Sequence, residues 1–349
     1  MVSKLRDALR HVTTGGTFTS EQMSELVELF MQADLQQDPL GQLAGAFICS
    51  LKTRGETPEE IYGACHCLRR HQIGVSVPAP NGVLLDTCGT GGDGAHLVNI
   101  STMTGLVVAS LGVPVAKHGN RSVSSSCGSA DLLEKMGYPL HSSTHKVANL
   151  VEQTGFGFLF APHFHPALKN LSGLRRTLGV RTMFNMLGPL VNPASVTHQL
   201  IGVFDRDIVT PMARAAARLG LKRCVVVHGA GGLDELSPNG VTWASLAEGD
   251  RLTELEWTPE SFGAKPVPLE ALKGGDAQEN SARTLELFEG RAPEIAGAVS
   301  MNCAACLWLV EDVKTLKEGY DKSYEAIRSG EVGRYFERCR EAALSSAAK

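Results

Sequence analysis

Val83-Leu-Leu-Asp-Thr-Cys-Gly-Thr-Gly-Gly-Asp-Gly-Ala-His-Leu-Val-Asn99 is an apolar run that breaks into four glycines and an aspartate. A buried strand opening into glycines lets backbone N–H groups approach a phosphate closely. The next apolar run opens into Lys117-His-Gly-Asn-Arg-Ser-Val-Ser-Ser125, read as a basic, hydroxyl-rich second loop that supplies counter-charge. Together the two loops point to a phosphorylated small molecule. Gly89-x-Gly91-x-x-Gly94 also fits the dinucleotide pattern, but that pattern needs an acidic residue about 20 positions on. Residues 95–130 contain no Asp or Glu, and no Gly-Lys-Ser/Thr closes a Walker loop. Asp93, inside the glycines, would repel a pyrophosphate unless a cation stood between them. A purely structural glycine turn is the competing reading.

Working outward from this stretch, the rhythm changes on either side. Short apolar runs at 83–87, 113–116, 156–161, 198–204 and 223–228 alternate with helical patterns at 101–111, 129–136 and 208–219. This alternation predicts an α/β fold with a mostly parallel sheet flanked by helices. Glu248-Gly-Asp250 followed by an alternating run at 252–258 predicts an antiparallel hairpin at one edge, and 280–344 reads as helix. The first seventy residues read as helices only: Thr19 with Gln22 and Thr57 with Glu60 form capping boxes, and Asp38-Pro39 reads as an N-cap with proline at the first helical position. The Pro- and Gly-rich stretch 74–82 is a linker. The expected organisation is a small helical domain over 1–73 and a larger α/β domain over 74–349, with part of 165–190 packing on the helical domain.

The chain has 349 residues, 43% of them hydrophobic, and a net charge of -4. That charge argues against coating nucleic acid or an anionic membrane. No apolar stretch reaches the roughly 18 residues of a membrane span. The N-terminus carries charges where a signal peptide needs an apolar core, and nine scattered cysteines form no disulfide framework, so a cytoplasmic location is expected. Cys303-x-x-Cys306 and Cys65-His66-Cys67 lie in helical patterns with no second pair at zinc spacing, and are read as buried structural thiols.

In open α/β sheets, ligands bind at the carboxyl ends of strands. Gly89–Asp93, Lys117–Ser125 and the loop after the Cys224-Val-Val-Val-His228 run therefore converge. Asn99, Ser101 and Ser129 stand at predicted helix starts, where orphan N–H groups favour an anion, with plain capping as the simpler role. Asp234-Glu235 places two adjacent carboxylates in a glycine-rich loop, a hard oxygen pair suited to Mg2+ bridging substrate phosphates. A solvated loop pair is the alternative.

Gly89-Thr-Gly-Gly-Asp-Gly94, Asn99-Ile-Ser-Thr102, Lys117-His-Gly-Asn-Arg-Ser-Val-Ser-Ser125, Gly128-Ser-Ala-Asp131, Phe158-Leu-Phe-Ala-Pro-His163, Arg181-Thr-Met-Phe-Asn-Met-Leu-Gly-Pro189 and Leu233-Asp-Glu-Leu-Ser237 resemble, in order, the signature set of the anthranilate phosphoribosyltransferase family. The resemblance covers nearly the whole chain, and the Lys117–Arg121 segment is its most specific part. It implies a nucleoside-phosphorylase/phosphoribosyltransferase-like fold and a homodimer meeting through the helical domain, outside the active sites. The implied reaction joins the amine of anthranilate to C1 of phosphoribosyl pyrophosphate (PRPP), releasing pyrophosphate in tryptophan biosynthesis. By the same resemblance Gly89, Gly92, Asp93, Asn99, Ser101, Thr102, Lys117, Asn120, Arg121, Ser124, Ser125 and Ser129 would hold PRPP. Gly89, Asn120 and Arg175 would meet anthranilate, and Ser101, Asp234 and Glu235 would serve two Mg2+ ions. No general acid or base is assigned. His118 is a candidate to take the lost proton, and a structural hydrogen bond is its other reading.

The sequence departs from the family pattern at Leu97, Ser126-Cys127 and Gly231, which bears on PRPP affinity. The apolar residues Leu26, Val27, Leu29, Phe30, Leu43, Phe47 and Leu51 are expected to form the dimer contact. Two other functions fit in outline: a nucleoside phosphorylase using free phosphate, and a non-enzymatic nucleic-acid-binding relative. Asp234-Glu235 and Arg175 favour the transferase over the first, and the net charge weighs against the second.

Overall fold

The structure, a computed structural model, describes residues 1–92, 94–122 and 126–347, apart from the side chain of residue 172. The chain begins with four helices, α1 (Val2–Thr13), α2 (Ser20–Gln32), α3 (Leu40–Arg54) and α4 (Pro58–Arg70). Both predicted capping boxes form: Gln22 N–H donates to Thr19 Oγ1 at 3.2 Å, and Glu60 N–H to Thr57 Oγ1 at 3.3 Å. Glu60 is fully buried, pairs with Arg54 and accepts the Phe18 N–H at 2.9 Å, which ties the loop before α2 to α4. One expectation fails here. Pro39, not Asp38, is the N-cap of α3, and no side chain caps it.

The larger unit runs β1 (Leu85–Gly89), α5 (Ile100–Ser110), β2 (Val115–Gly119), α6 (Ser129–Lys135), α7 (Thr144–Thr154), β3 (Phe156–Phe160), α8 (Ala161–Phe164), α9 (Lys169–Leu178), α10 (Met183–Met186), β4 (His198–Gly202), α11 (Val209–Arg218), β5 (Arg223–Gly229), β6 (Thr242–Glu248), β7 (Arg251–Trp257), α12 (Ala277–Phe288), α13 (Pro293–Leu309), α14 (Leu316–Arg328) and α15 (Glu331–Ala347). Among the described residues the seven strands are ordered β3-β2-β1-β4-β5-β6-β7. β1 to β5 are parallel, and β6 and β7 form the expected antiparallel edge hairpin. The chain winds one way from β1 to β3 and the other way from β4, so the order reverses between β1 and β4. A ligand crevice belongs at the carboxyl side of such a switch point.

β1 and β2 both run further than their apolar residues suggest. Lys117, His118 and Gly119, read as loop, are the last residues of β2 and pair with Phe158, Leu159 and Phe160 of β3. The polar residues are tolerated inside because partners meet them: Lys117 Nζ donates to the Thr87 carbonyl, and His118 N–H donates to Asp86 Oδ1 at 3.1 Å.

One face of the sheet is covered by α5 and α13–α15. The other is covered by α11 and joins a continuous buried cluster with α1–α4. Leu26, Val27, Leu29, Phe30, Phe47 and Leu51 are buried within the single chain, and Leu43 is half-buried. They therefore do not form a free contact face, because the rest of the same chain supplies their covering. Phe184 of α10 meets Phe30 edge-on at 6.3 Å, and Asn170 Nδ2 of α9 donates to the Met31 carbonyl at 2.7 Å.

The loop after β5 folds back over the strand ends, with Gly229 N–H donating to the Leu233 carbonyl at 2.9 Å. Its close seat depends on glycine. A Cβ at Gly202 would lie 1.6 Å from the Asp234 carbonyl oxygen, and one at Gly89 would lie 2.4 Å from Asp234 Oδ2. Gly202→Ala should therefore lower unfolding stability by about 1–3 kcal/mol, the usual cost of overpacking, because a carbonyl cannot rotate away as a side-chain tip can. Gly74→Ala, in the linker where a methyl group would meet no atom within 4 Å, serves as the control. It should change stability by no more than about 0.5 kcal/mol. Denaturant melts of the two variants check this, and equal stabilities would contradict the seat.

Candidate active site

At the end of β1 the chain turns through Gly91, Gly92 and Gly94, with φ of 69°, 74° and 76°. Thr90 N–H donates to the Gly202 carbonyl at 2.9 Å, tying the turn to β4. The next amide, Gly91 N–H, donates to Asp234 Oδ2 at 2.6 Å. A second carboxylate from the same loop, Glu235, accepts the Ser101 N–H at 3.1 Å through Oε1. This places an acid on the N-terminal turn of α5, where the helix dipole favours it. Asp234 is buried and Glu235 half-buried. The sequence reading gave these amides to an anionic ligand; in the free chain the protein's own carboxylates hold both.

α6 starts at Ser129 as expected and α5 at Ile100, one residue before the expected Ser101, but neither serine is the cap. Asn99 is the N-cap of α5 and Gly128 that of α6, so Ser101 and Ser129 lie inside their helices. Asn99 makes no cap bond. Its Nδ2 donates to the Cys127 carbonyl at 3.0 Å and its Oδ1 accepts from Asn280 Nδ2 at 3.0 Å. Asn280, buried on α12, also accepts the Gly275 N–H at 2.8 Å. Thr102 is fully buried, and its Oγ1 has no hydrogen-bond partner among the described residues.

The β2 end supplies the cation beneath this turn. Lys117 is almost fully buried, and its Nζ lies 3.4 Å from Ser101 Oγ in addition to its bond with the Thr87 carbonyl. Asp86 lies on the adjacent strand, inside a set of donors. Asn192 Nδ2 reaches its Oδ2 at 2.8 Å and Gln199 Nε2 at 3.0 Å, while Oδ1 takes the His118 amide. Burial raises the Asp86 carboxyl to about 6, against the pull of Lys117 and these donors. Burial pushes the His118 imidazole down to about 3, and neighbouring His165 adds to the shift. The rings lie 5.1 Å apart, and burial lowers His165 to about 4. His118 Nδ1 faces the Gly188 carbonyl at 3.1 Å, and Nε2 of each ring is unpartnered among the described residues. Both imidazoles are thus neutral at physiological pH, and His118 is a weak proton acceptor.

The segment after β2 is anchored to α6. Asp131 Oδ2 accepts the Ser122 and Gly128 amides at 3.0 and 2.9 Å, and Arg121 reaches Asp131 at 3.0 Å and Glu134 at 2.5 Å. Partial burial works against the Asp131 charge, but the two amides and Arg121 outweigh it and hold its carboxyl below the usual range. Arg121 therefore faces two acids, with the Phe160 ring 5.5 Å away. Asn120 turns its Oδ1 to the Arg121 N–H at 2.7 Å, and its carbonyl accepts from Ser129 Oγ at 3.3 Å. On α9, Arg175 is half-buried and its guanidinium shifted down by burial, whereas Arg176 is exposed. Asp93, Ser124 and Ser125, three of the expected PRPP residues, lie outside the described residues.

The departures also find places. Leu97 forms an antiparallel bridge with Lys273, so its backbone is held from α12's side of the site. Gly231 has φ of 90°, a conformation in which an aspartate would be strained. Sequence reading missed Asp86, Asn192, Gln199, His165 and Asn280. A lone carboxylate in the run Val83-Leu-Leu-Asp86 was the available signal for the first of these.

A glycosyl transferase family, a/b domain, matches residues 81–332, and a glycosyl transferase family, helical bundle domain, matches residues 6–72. An anthranilate phosphoribosyltransferase of Persephonella marina is 39% identical over 338 residues, covering 97% of this chain and 98% of the relative. The crystal structure of anthranilate phosphoribosyltransferase from Thermus thermophilus superposes with a TM-score of 0.87 at 39% identity, covering 97% of this chain and 99% of that one. The Saccharomyces cerevisiae enzyme in complex with PRPP and Mg gives a TM-score of 0.87 at 27% identity, covering 98% of each chain.

The buried imidazoles make stability depend on pH in a defined direction. A histidine held neutral contributes stability above its unfolded value of about 6.5, and loses it as pH falls towards the folded value. Asp86 runs the other way: its contribution is complete below the ordinary carboxylate range and lost as pH rises through about 6. For His165, with a folded value of about 4, the slope is about 1.4 kcal/mol per pH unit between these limits. His165→Gln should remove that slope, so urea melts between mildly acid and neutral pH should flatten relative to wild type. An unchanged pH dependence would mean that folding does not shift the titration of His165.

Proposed function

The chain belongs to the anthranilate phosphoribosyltransferase family, and from that premise we propose how its own residues transfer the phosphoribosyl group of PRPP to the amine of anthranilate. The observation that carries the reading is the meeting, at the β1–β4 switch point, of two anion-type amides, two carboxylates and a buried lysine. Gly89, Gly92, Asp93, Asn99, Ser101, Thr102, Lys117, Asn120, Ser124, Ser125 and Ser129 hold PRPP in this reading. Arg121 acts through Asp131 and Glu134 by fixing the second loop to α6. The oxygen donors Ser101, Asp234 and Glu235 fit Mg2+, and Glu235 and Ser101 already adjoin through a hydrogen bond. Two bound Mg2+ ions would offset the charge that develops on the leaving pyrophosphate.

The chemistry asks little else of the protein. The C1–O bond to pyrophosphate breaks, the C1–N bond forms, and the nitrogen then releases a proton. An aromatic amine is uncharged at neutral pH, so attack needs no prior deprotonation. The low basicity of His118 agrees with a late proton loss that requires no strong base. The α5 N-terminus and Lys117 stabilise negative charge on the departing side. Arg175 addresses the anthranilate carboxylate, with Gly89 and Asn120 beside the ring. We read the chain as helical and α/β units meeting near residue 73, with part of 165–190 on the helical unit, acting as a cytoplasmic homodimer joined through helical surface other than the apolar faces covered within the chain.

Two substitutions test the roles. Arg175→Ala should raise the anthranilate KM roughly tenfold or more, the scale of a lost charged hydrogen bond, with PRPP binding nearly intact. Steady-state kinetics decide it; damage from Arg176→Ala with a silent Arg175→Ala would reverse the assignment. Glu235→Gln keeps an oxygen acceptor for the Ser101 amide and removes only the charge. It should leave the melting temperature near wild type and cut turnover by roughly a hundredfold, as expected for one electrostatic stabiliser. A Mg2+ titration of chelator-stripped protein should recover part of the loss. Full activity without a divalent ion would end the metal assignment.

A further inference from the structure

We infer that Glu28, Cys67 and His71 form a separate site for a zinc-class divalent ion, tying α2 to the end of α4. Cys67 and His71 are one helical turn apart, which sets both side chains on the same side of α4. Glu28 approaches from α2: its Oε2 lies 2.7 Å from His71 Nε2 and 3.5 Å from Cys67 Sγ. The three ligand atoms all lie within 4.8 Å of one another. One sulfur, one imidazole nitrogen and one carboxylate oxygen suit Zn2+ and do not suit Mg2+, which prefers oxygen throughout.

The surroundings fit a built site. Glu28 Oε1 accepts from Gln32 Nε2 at 2.8 Å, so the carboxylate is oriented with its other oxygen towards Cys67 and His71. Such outer partners orient ligands at metal centres. Cys67 is buried while His71 is exposed, and Glu28 borders an open cleft of about 730 Å³, which gives an ion a route in. Arg70 Nη2 lies 3.4 Å from Glu28 Oε2 and 4.0 Å from Cys67 Sγ. Its guanidinium balances the Glu28 charge in the free chain. With a side chain about half exposed, it can turn to solvent when a cation takes that place. Burial holds the thiol protonated above its ordinary value, so binding must expel the Cys67 proton to solvent and weaken at acid pH. The Cys65-His66-Cys67 segment offered no second pair in sequence; the fold supplies Glu28 from α2, and His71 completes the set without Cys65 or His66.

The test uses the full-length protein without an affinity tag, stripped by chelator and kept in Mg2+. Zinc titration by calorimetry should give a single site per chain and a raised melting temperature. His71→Ala, at an exposed position, should weaken zinc binding by roughly tenfold or more, no less than the smallest losses seen for outer partners alone. It should leave the Mg2+-supported transferase activity unchanged. Cobalt should give a thiolate-to-metal charge-transfer band that Cys67→Ser abolishes. Equal zinc affinity in wild type and His71→Ala, or cobalt binding without the thiolate band, would overturn the site and leave a hydrogen-bonded ion-pair cluster.

Discussion

Asp234 lies across the ends of β1 and β4, its backbone carbonyl in the space a methyl group at Gly202 would need and its carboxylate in the space one at Gly89 would need. This contact brings the loop after β5 within reach of the turn after β1, although their residues are more than a hundred positions apart. The carboxylates of Asp234 and Glu235 then meet the Gly91 and Ser101 amides. A side chain at Gly202 would lift the loop from its seat and carry both acids with it, and one at Gly89 would displace the Asp234 carboxylate. The site therefore rests on a steric permission granted at two strand ends, and its electrostatics follow from that.

Beneath the loops, the sheet carries polar groups that an apolar core would ordinarily exclude. Asp86, Asn192, Gln199 and the His118 amide satisfy one another, and Lys117 finds a carbonyl and a hydroxyl. A buried carboxylate with these donors is tolerable, whereas the same group alone would cost several kcal/mol or more. The network also joins segments distant in sequence, since Gln199 Nε2 donates to the Pro189 carbonyl as well as to Asp86. It fixes where β2 ends, and hence where the segment from Asn120 begins.

Much of this was legible from residue order. The apolar runs located every parallel strand, the Gly-Asp hairpin located the edge, and both capping boxes formed as read. The strand limits were not legible, because Lys117 and His118 look like loop residues until Asp86 and the Thr87 carbonyl are placed beside them. The starts of α5 and α6 were legible to within a residue, but their acceptors were not, for a related reason: these come from Glu235 and Asp131, not from the adjacent serines. The apolar faces of α2 and α3 were correctly identified as buried surface but given the wrong partner. Periodicity states that a face is covered, and only tertiary contacts state by what.

The occupied amides at Gly91 and Ser101 change what binding means at this end of the sheet. In the free chain these donors do not point at bulk water; each is already engaged by an internal acid. An anion arriving there would compete with a tethered one, and its affinity would be the difference between two similar bonds. The benefit is geometric. Donors held in place by a resident acceptor are preorganised, so the entropy of ordering the glycine turn is spent during folding and not at the encounter with substrate.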